Sequence, residues 1–187
     1  MKQIILFACL TVSLLSYGQN KKLLKNINDI KFFGVDYSSV TIIGAHESIS
    51  EFKEAFEAIN GLFITQPKKF DAGRLLNKNI VELSLTETNS LIDDINEEAF
   101  DYVNRTQPDL QYQIEKLPIK KEKGTGVVII AKYLDKNNNE GVYQIVFFNL
   151  ENKQIIDSWE DKGKAGGFGL RNFWGNSVHR LLKSQKL

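Results

Sequence analysis

The chain has 187 residues and carries 24 Lys and Arg against 23 Asp and Glu, a formal net charge of +1 at pH 7. This near-neutral balance gives no support for nucleic acid or an anionic membrane surface as the main partner. The one cysteine, Cys9, lies within the first 18 residues, so an exported form would have no thiol for a disulfide, for catalysis or for a metal site.

The amino terminus has the layout of a secretory signal peptide. Lys2 precedes an apolar run over residues 4–15, and the small residues Ser16 and Gly18 stand at the −3 and −1 positions before Gln19. We therefore predict cleavage between Gly18 and Gln19, which would place the protein in the periplasm or outside the cell.

A lipoprotein signal with Cys9 as the lipid-modified residue is an alternative. It is less favoured because only a short apolar stretch precedes the LFAC box and the apolar run continues beyond it. The resulting division is a signal peptide over 1–18, a basic tether over 19–30 and a single α+β domain over 31–187. After signal removal, no apolar stretch is long enough to span a bilayer.

The first third of the predicted domain reads as strand and then helix. Val, Ile, Tyr and Phe dominate residues 32–44, FFGVDYSSVTIIG, which indicates a strand pair or one long bent strand. Ser48 and Glu51 form a capping box at the start of a helix, and Gly61 is predicted to end it. Pro67 interrupts the next segment, which is expected to place two aromatic side chains in the core from a loop, Phe63 and Phe70.

The middle of the chain is more polar. Residues 79–85 alternate and predict a strand. A helix is predicted over 86–103, followed by a short helix around Leu110–Lys116. The longer helix would have an apolar face and a solvated acidic face, with Leu91, Ile92, Ile95, Ala99 and Val103 opposite Asp93, Asp94, Glu97, Glu98 and Asp101.

The last third has the clearest pattern. Residues 126–134 and 141–150 are nearly continuous apolar runs, typical of strands covered on both faces. A hairpin loop joins them, residues 154–161 predict a third strand, and Leu170–Lys183 predicts a closing helix. The predicted fold class is α+β, a mixed sheet with a carboxy-terminal three-stranded antiparallel meander flanked by helices.

A glycine-rich stretch, GKAGGFGLRNFWGN at 163–176, joins the third strand to the closing helix. Glycines let backbone N–H groups approach phosphate oxygens, and a helix amino terminus adds a positive dipole. The spacing matches neither the P-loop nor the dinucleotide pattern, so a structural turn with at least one positive φ is the favoured interpretation. The alternative is a ligand site with the candidate residues Gly166, Gly167, Gly169, Arg171 and Asp36.

Asp36 stands inside an otherwise apolar strand, and a buried carboxylate needs a partner. Arg171 or a loop N–H group is the candidate partner. The two histidines, His46 and His179, are far apart and show no metal-ligand spacing. We predict no metal site and no cofactor, and we identify no catalytic residue.

The motifs FFGVDYSSVTIIG and GKAGGFGLRNFWGNSV resemble paired signatures of a family of small secreted proteins of Bacteroidota-type bacteria, a family that carries no known activity. The order of elements is faintly similar to the amino-terminal domain of the Tol-Pal translocation protein and to the periplasmic domain of the curli secretion channel. This resemblance implies binding of protein partners in the cell envelope, although a shared fold does not transfer function.

The leading functional hypothesis is a non-enzymatic module that binds a partner or assembles in the cell envelope, with no nucleic acid involved. The alternative is a small-molecule-binding or phosphate-binding protein, or an enzyme, with its site at the glycine loop 163–169 and Arg171. A concave pocket that opens onto the loop would favour the alternative. An exposed apolar patch elsewhere on the protein would favour the partner-binding or assembly module.

Overall fold

The computed structural model describes residues 24–185, which form a six-stranded mixed sheet with helices on both faces. The strands are β1 (Asp29–Asp36), β2 (Thr41–Ile43), β3 (Asn79–Leu83), β4 (Thr125–Asp135), β5 (Glu140–Asn149) and β6 (Ile155–Lys164). The helices are α1 (Ile49–Thr65), α2 (Ala72–Leu76), α3 (Thr86–Asn89), α4 (Leu110–Lys116) and α5 (Leu170–Ser184).

The strand order is β3–β1–β4–β5–β6, and β2 also pairs with β4. β1 and β2 both run parallel to β4, β1 beside residues 126–130 and β2 beside residues 133–135, so they behave as one interrupted strand. β3 is parallel to β1, whereas β4, β5 and β6 form an antiparallel meander. The predicted α+β class and the carboxy-terminal meander are therefore confirmed.

Two apolar layers cover the two faces of the sheet. α1 and α5 pack on one face, and Trp174 of α5 is fully buried there. Ile114 of α4 and Leu117 cover part of the other face. Neighbouring residues of β5 alternate between the layers, so Phe147 belongs to the first and Phe148 to the second. Coverage on both faces explains why the central strands read as continuous apolar runs.

The predicted capping box is present at the start of α1. The Ser48 N–H donates to Glu51 Oε2 at 2.8 Å, and the Glu51 N–H donates to Ser48 Oγ at 3.3 Å. The prediction that Gly61 ends this helix is wrong, because α1 continues to Thr65 and buries Phe63 within the helix. Apolar burial beyond Gly61 outweighs the cost of about 1 kcal/mol for a helical glycine.

The prediction of one helix over 86–103 is also wrong. The segment is divided into α3 and two 3₁₀ turns, Ile92–Asp94 and Glu97–Phe100. Ile95 is extended, and the side chain of Asn96 accepts a hydrogen bond from the Glu98 N–H. This local side-chain cap competes with a continuous helix. The apolar residues of the segment remain largely in the core, but Val103 is 74 % exposed.

Residues 1–23 and 186–187 are outside the described part of the chain, and so are the predicted signal peptide, its cleavage site and Cys9. Within the predicted tether, Leu24 is buried, and its carbonyl oxygen accepts a hydrogen bond from Lys78 Nζ at 2.8 Å. Among residues 24–185, no helix has the length and apolar character needed to cross a membrane.

Candidate binding groove

A groove of about 740 Å³ lies between the sheet and the segment that leads into α4. One wall is formed by residues 107–113 and the other by residues 155–160 of β6. The floor between them consists of Ile130, Lys132 and Gln144 on the two central strands. The groove therefore lies on the sheet face opposite α1 and α5, where α4 leaves part of the sheet uncovered.

Strand register sets the floor of the groove. Ile130 is paired with Gln144, and Gln144 is paired with Glu160, so one row of side chains crosses three strands on the same face. The wall opposite β6 is positioned by the start of α4. Asp109 caps this helix by accepting a hydrogen bond from the Tyr112 N–H at 3.1 Å.

A polar network fastens the wall at 107–113 to the sheet. Gln107 Nε2 donates to the Lys132 carbonyl oxygen and to Thr41 Oγ1, both at 3.1 Å. Ser39 Oγ donates to Gln113 Oε1 at 2.5 Å, and Gln113 Nε2 donates to the Pro108 carbonyl oxygen at 3.0 Å. These bonds hold the wall in place without filling the groove.

Two polar atoms at the groove have no hydrogen-bond partner among residues 24–185. They are the hydroxyl of Ser158, whose side chain is 1 % exposed, and Oε1 of Gln107. A buried polar group left unpaired costs about 1–3 kcal/mol. Lys132 and Glu160 form an ion pair at 2.5 Å on the groove's surface. The pair is partly exposed, so it contributes little to stability.

The glycine loop has the backbone shape that the favoured interpretation predicts. Gly169 has φ 75°, and Gly167 has φ 122°. The N–H of Gly166 donates to the Phe173 carbonyl oxygen at 3.1 Å, and Asn176 Nδ2 donates to the Gly166 carbonyl oxygen at 2.7 Å. The loop is thus tied to α5 by its own chain, and no residue of 163–169 lines the groove.

Arg171 and Asp36, the other two predicted site residues, are not brought together. Arg171 is exposed, and its guanidinium donates to Asn172 Oδ1 at 3.1 Å. Asp36 is 1 % exposed on β1, and its Oδ1 accepts a hydrogen bond from the Ser38 N–H at 2.8 Å. The predicted loop N–H partner is therefore observed. Because Asp36 is three strands from β6, about 14 Å at strand spacing, it does not share a site with the glycine loop.

Sequence reasoning missed the groove residues. The signal was present in two polar residues inside strand patterns, Gln144 in GVYQIVFF and Ser158 in IIDSWE. The wall sequence QPDLQYQ also carries three glutamines, but it gives no sign that these side chains face β6. Only the packing of α4 on the sheet brings the three stretches together.

A second cavity of about 270 Å³ lies beside β3 and is mostly apolar, with Phe32, Phe63 and Phe70 among its lining residues. Large apolar side chains nearby on β3 and α1 are exposed, namely Ile64, Val81 and Leu83. Within the described residues, no group of three or more His, Cys, Asp and Glu side chains could hold a metal ion.

In comparisons with protein-family models, curated proteins and solved structures, nothing matches this chain.

Proposed function

We propose that this protein is a non-enzymatic binding module of the cell envelope, and that its groove holds an extended peptide segment of a partner protein. The observation that carries the proposal is the polar side chain of Gln144 on the floor of the groove, to which no described residue is hydrogen-bonded. Beside it lie two buried polar atoms without a partner among residues 24–185, Gln107 Oε1 and the Ser158 hydroxyl oxygen.

The chemistry of these groups supports a peptide as the ligand. A peptide backbone alternates N–H donors with C=O acceptors, and a glutamine side chain offers both kinds of group. Gln144, on the floor of the groove, can donate a hydrogen bond to a peptide C=O group and accept one from a peptide N–H group. Apolar surface from the half-buried Leu110 and Ile155 would pack against the side chains of the segment.

The outer edge of β6 is a less suitable place for a peptide to bind as an added strand. Its Ser158 N–H donates to Asp157 Oδ1 and its Lys162 N–H donates to Asp161 Oδ1, both at 2.8 Å. Edge N–H groups that are satisfied by neighbouring carboxylates are poor templates for an added strand. This favours binding in the groove over extension of the sheet at β6.

The alternative, a small-molecule or phosphate site at the glycine loop and Arg171, has weaker support. The loop amide at Gly166 and its carbonyl oxygen are already bonded to α5, and Asp36 lies elsewhere on the sheet. A titration with inorganic phosphate tests this alternative directly.

The test of the proposal is a titration of the ¹⁵N-labelled protein with N-acetyl-trialanine amide at millimolar concentration. We expect chemical-shift changes confined to residues 107–113, 130–132, 144 and 155–160. Gln144→Leu should abolish them, because it removes a polar group from the floor. Gln154→Leu is the matched control, since Gln154 is exposed and does not line the groove.

Two results would contradict the proposal. One is the absence of shifts at the groove with this peptide and with a library of longer peptides. The other is a response of Gly166–Arg171 to inorganic phosphate that Arg171→Ala removes, which would establish the alternative. The proposed export is tested separately by the intact mass of the protein recovered from the periplasm, which should correspond to a start at Gln19.

A further inference from the structure

The cavity of about 270 Å³ beside β3 is an apolar site that is separate from the groove. Three of its lining residues are phenylalanines, Phe32, Phe63 and Phe70, and Asp71 is the one charged residue among the described residues that line it. The three rings belong to the apolar layer of α1 and α5, so the cavity lies on the sheet face opposite the groove. Such a lining favours a hydrocarbon group as the ligand.

One side of the cavity is the segment 67–74, which leads from α1 into α2 and supplies four of the lining residues. Lys68 and Lys69 directly precede the lining residue Phe70, and both are exposed. Lys69 Nζ lies 5.3 Å from the centroid of the Phe70 ring. Arg74 Nη2 donates to the Lys68 carbonyl oxygen at 3.3 Å, which holds this guanidinium against the same segment. An apolar cavity and three cations therefore share one short stretch of chain.

These cations have little compensation from carboxylates. Among residues 24–185, Lys68 and Lys69 form no ion pair, and Arg74 Nε lies 3.7 Å from Asp71 Oδ2. Asp71 also caps α2, because its Oδ1 accepts a hydrogen bond from the Arg74 N–H at 2.9 Å. With three cations and one carboxylate, residues 67–74 carry an excess of positive charge, and we call them the cationic segment.

Two contacts join the cationic segment to α5. Lys69 Nζ donates to Asn176 Oδ1 at 2.6 Å, and the imidazole of His179 lies 5.7 Å from the Phe70 ring. The pKa of His179 is lowered by burial and then by four nearby cations, two of which are Lys69 and Arg74. Among the described residues, no carboxylate opposes this shift, so the positive potential beside Phe70 is not cancelled locally.

We propose that this cavity binds the hydrocarbon chain of a single-chain anionic amphiphile, a fatty acid, and that the carboxylate lies against Lys69 on the cationic segment. An apolar cavity of about 150 Å³ holds one benzene molecule, so a cavity of about 270 Å³ has room for a chain of roughly eleven carbons. Burial of the chain and a charge-assisted hydrogen bond to the carboxylate would use both features of the site.

A free amphiphile is favoured over an anionic bilayer because a bilayer keeps its hydrocarbon chains buried and presents head groups to a protein. The cations alone would suit a bilayer surface, but the apolar cavity would then contribute nothing to binding. The inference does not depend on the proposed peptide groove, because no described residue lines both sites.

The first experiment titrates the ¹⁵N-labelled protein with butyrate, hexanoate, octanoate and decanoate. We expect chemical-shift changes at Phe63, Phe70 and Leu83 and none at Gln144. The dissociation constant should fall by about threefold with each added methylene, since each one leaves water for the cavity. Decyltrimethylammonium has the same alkyl chain as a ten-carbon amphiphile but a cationic head, and it should bind about tenfold more weakly than decanoate, or weaker still.

The second experiment separates the head site from the chain site. Lys69→Gln with Arg74→Gln should weaken decanoate binding by about tenfold, because it removes the cations. Lys121→Gln with Lys123→Gln is the matched control, an equal change of charge on an exposed segment that does not line the cavity.

For the chain site, Leu83→Glu places a carboxylate in the lining and should abolish decanoate binding. Val81→Glu is its matched control, because Val81 is exposed on the same strand but does not line the cavity. Circular dichroism of each variant establishes that it is folded, which is expected since every substituted residue is exposed.

A further readout is the pKa of His179, followed through its imidazole protons during a pH titration. Saturating decanoate should raise it, since a carboxylate beside Lys69 cancels part of the positive potential. The titration curve of His46, at an exposed position, is the internal control. An unchanged His179 curve at saturation would overturn the assignment of the head group to the cationic segment.

Three other results would overturn the proposal. They are no binding of decanoate, an affinity that is independent of chain length, and equal binding of decyltrimethylammonium. A protein that leaves decanoate unbound but sediments with phosphatidylglycerol vesicles, and loses this property in the Lys69→Gln and Arg74→Gln variant, would assign the cationic segment to a bilayer surface instead.

Discussion

At the scale of single residues, Asp36 is almost completely buried, and its carboxylate accepts a hydrogen bond from the Ser38 N–H at 2.8 Å. Burial raises the pKa of its carboxyl above the ordinary value, and the hydrogen bonds from Ser38 oppose this shift. The stability associated with the raised pKa is present at low pH and is lost as the pH rises through the folded-state value.

We therefore expect Asp36→Asn to melt at a higher temperature than the unmodified protein at pH 7, because an amide carries no charge to desolvate. The difference should shrink as the pH falls from the raised pKa of folded Asp36 to the ordinary value of 3.8, and it should be absent below that value, where the unfolded carboxyl also binds its proton. Thermal melts of both proteins across this range provide the measurement. A difference that does not change with pH would mean that the charge of Asp36 is not its cause.

The pKa of His179 is shifted downward, so its effect on stability has the opposite dependence on pH from that of Asp36. Burial and four nearby cations lower the pKa of its imidazole, which lies 5.7 Å from the ring of Phe70. As the pH falls below the ordinary value of 6.5, the unfolded chain binds a proton before the folded chain does, so stability is lost. Urea unfolding should show the unmodified protein losing stability relative to His179→Gln between pH 7 and pH 5. His46→Gln, at an exposed position, should not reproduce this effect.

At the scale of elements, the close approach of α5 to the sheet depends on Gly163 of β6. A Cβ atom at this position would overlap the carbonyl oxygen of Ser177 in α5. Ser177 Oγ donates to the Gly163 carbonyl oxygen at 2.6 Å, and the Tyr143 hydroxyl donates to Ser177 Oγ at 3.0 Å. The first glycine of the stretch GKAGGFG thus serves the packing of helix on sheet.

We expect Gly163→Ala to lower the free energy of unfolding by about 1–3 kcal/mol or more, because backbone atoms cannot move aside cheaply. Gly61→Ala is the matched control. Nothing lies near a Cβ atom at this position inside α1, so the substitution should raise stability by about 0.5–1 kcal/mol. Urea unfolding of the two variants measures both changes. An unchanged free energy of unfolding for Gly163→Ala would contradict the close packing of α5 on β6.

At the scale of the whole molecule, one sheet is shared by two apolar layers, and both described tryptophans belong to the layer of α1 and α5. Phe147 and Phe148 are adjacent and fully buried, but they face opposite layers. If the molecule unfolds as one cooperative unit, Phe148→Ala should lower the midpoint of the unfolding transition. The shift should be the same whether unfolding is followed by tryptophan fluorescence or by circular dichroism.

Phe148→Ala should lower the free energy of unfolding by about 3–5 kcal/mol, and Phe147→Ala should lower it by a similar amount. Phe147 contacts Trp159 directly, with ring centroids 5.8 Å apart, so the variant at 147 is the positive control for the fluorescence signal. A variant at 148 that changes the circular dichroism transition and leaves the fluorescence midpoint unchanged would show that the two layers unfold independently.

Much of the fold was predictable from the sequence because its signals are local. Apolar runs predicted β4 and β5, helical spacing predicted α5, and the Ser48 and Glu51 pair predicted the start of α1. The predicted short helix also has its predicted bounds, Leu110–Lys116. Each of these features depends on residues within a few positions of one another, which is the range over which periodicity and capping act.

The remaining features depend on tertiary structure. Burial beyond Gly61 extends α1, while the Asn96 cap divides the segment predicted as one helix. The groove requires the 107–113 wall, the floor at Gln144 and the wall at Ser158 to meet across three strands. Contacts between residues distant in sequence follow from which strands pair and which layers pack, and both depend on burial across the whole domain rather than on a local pattern.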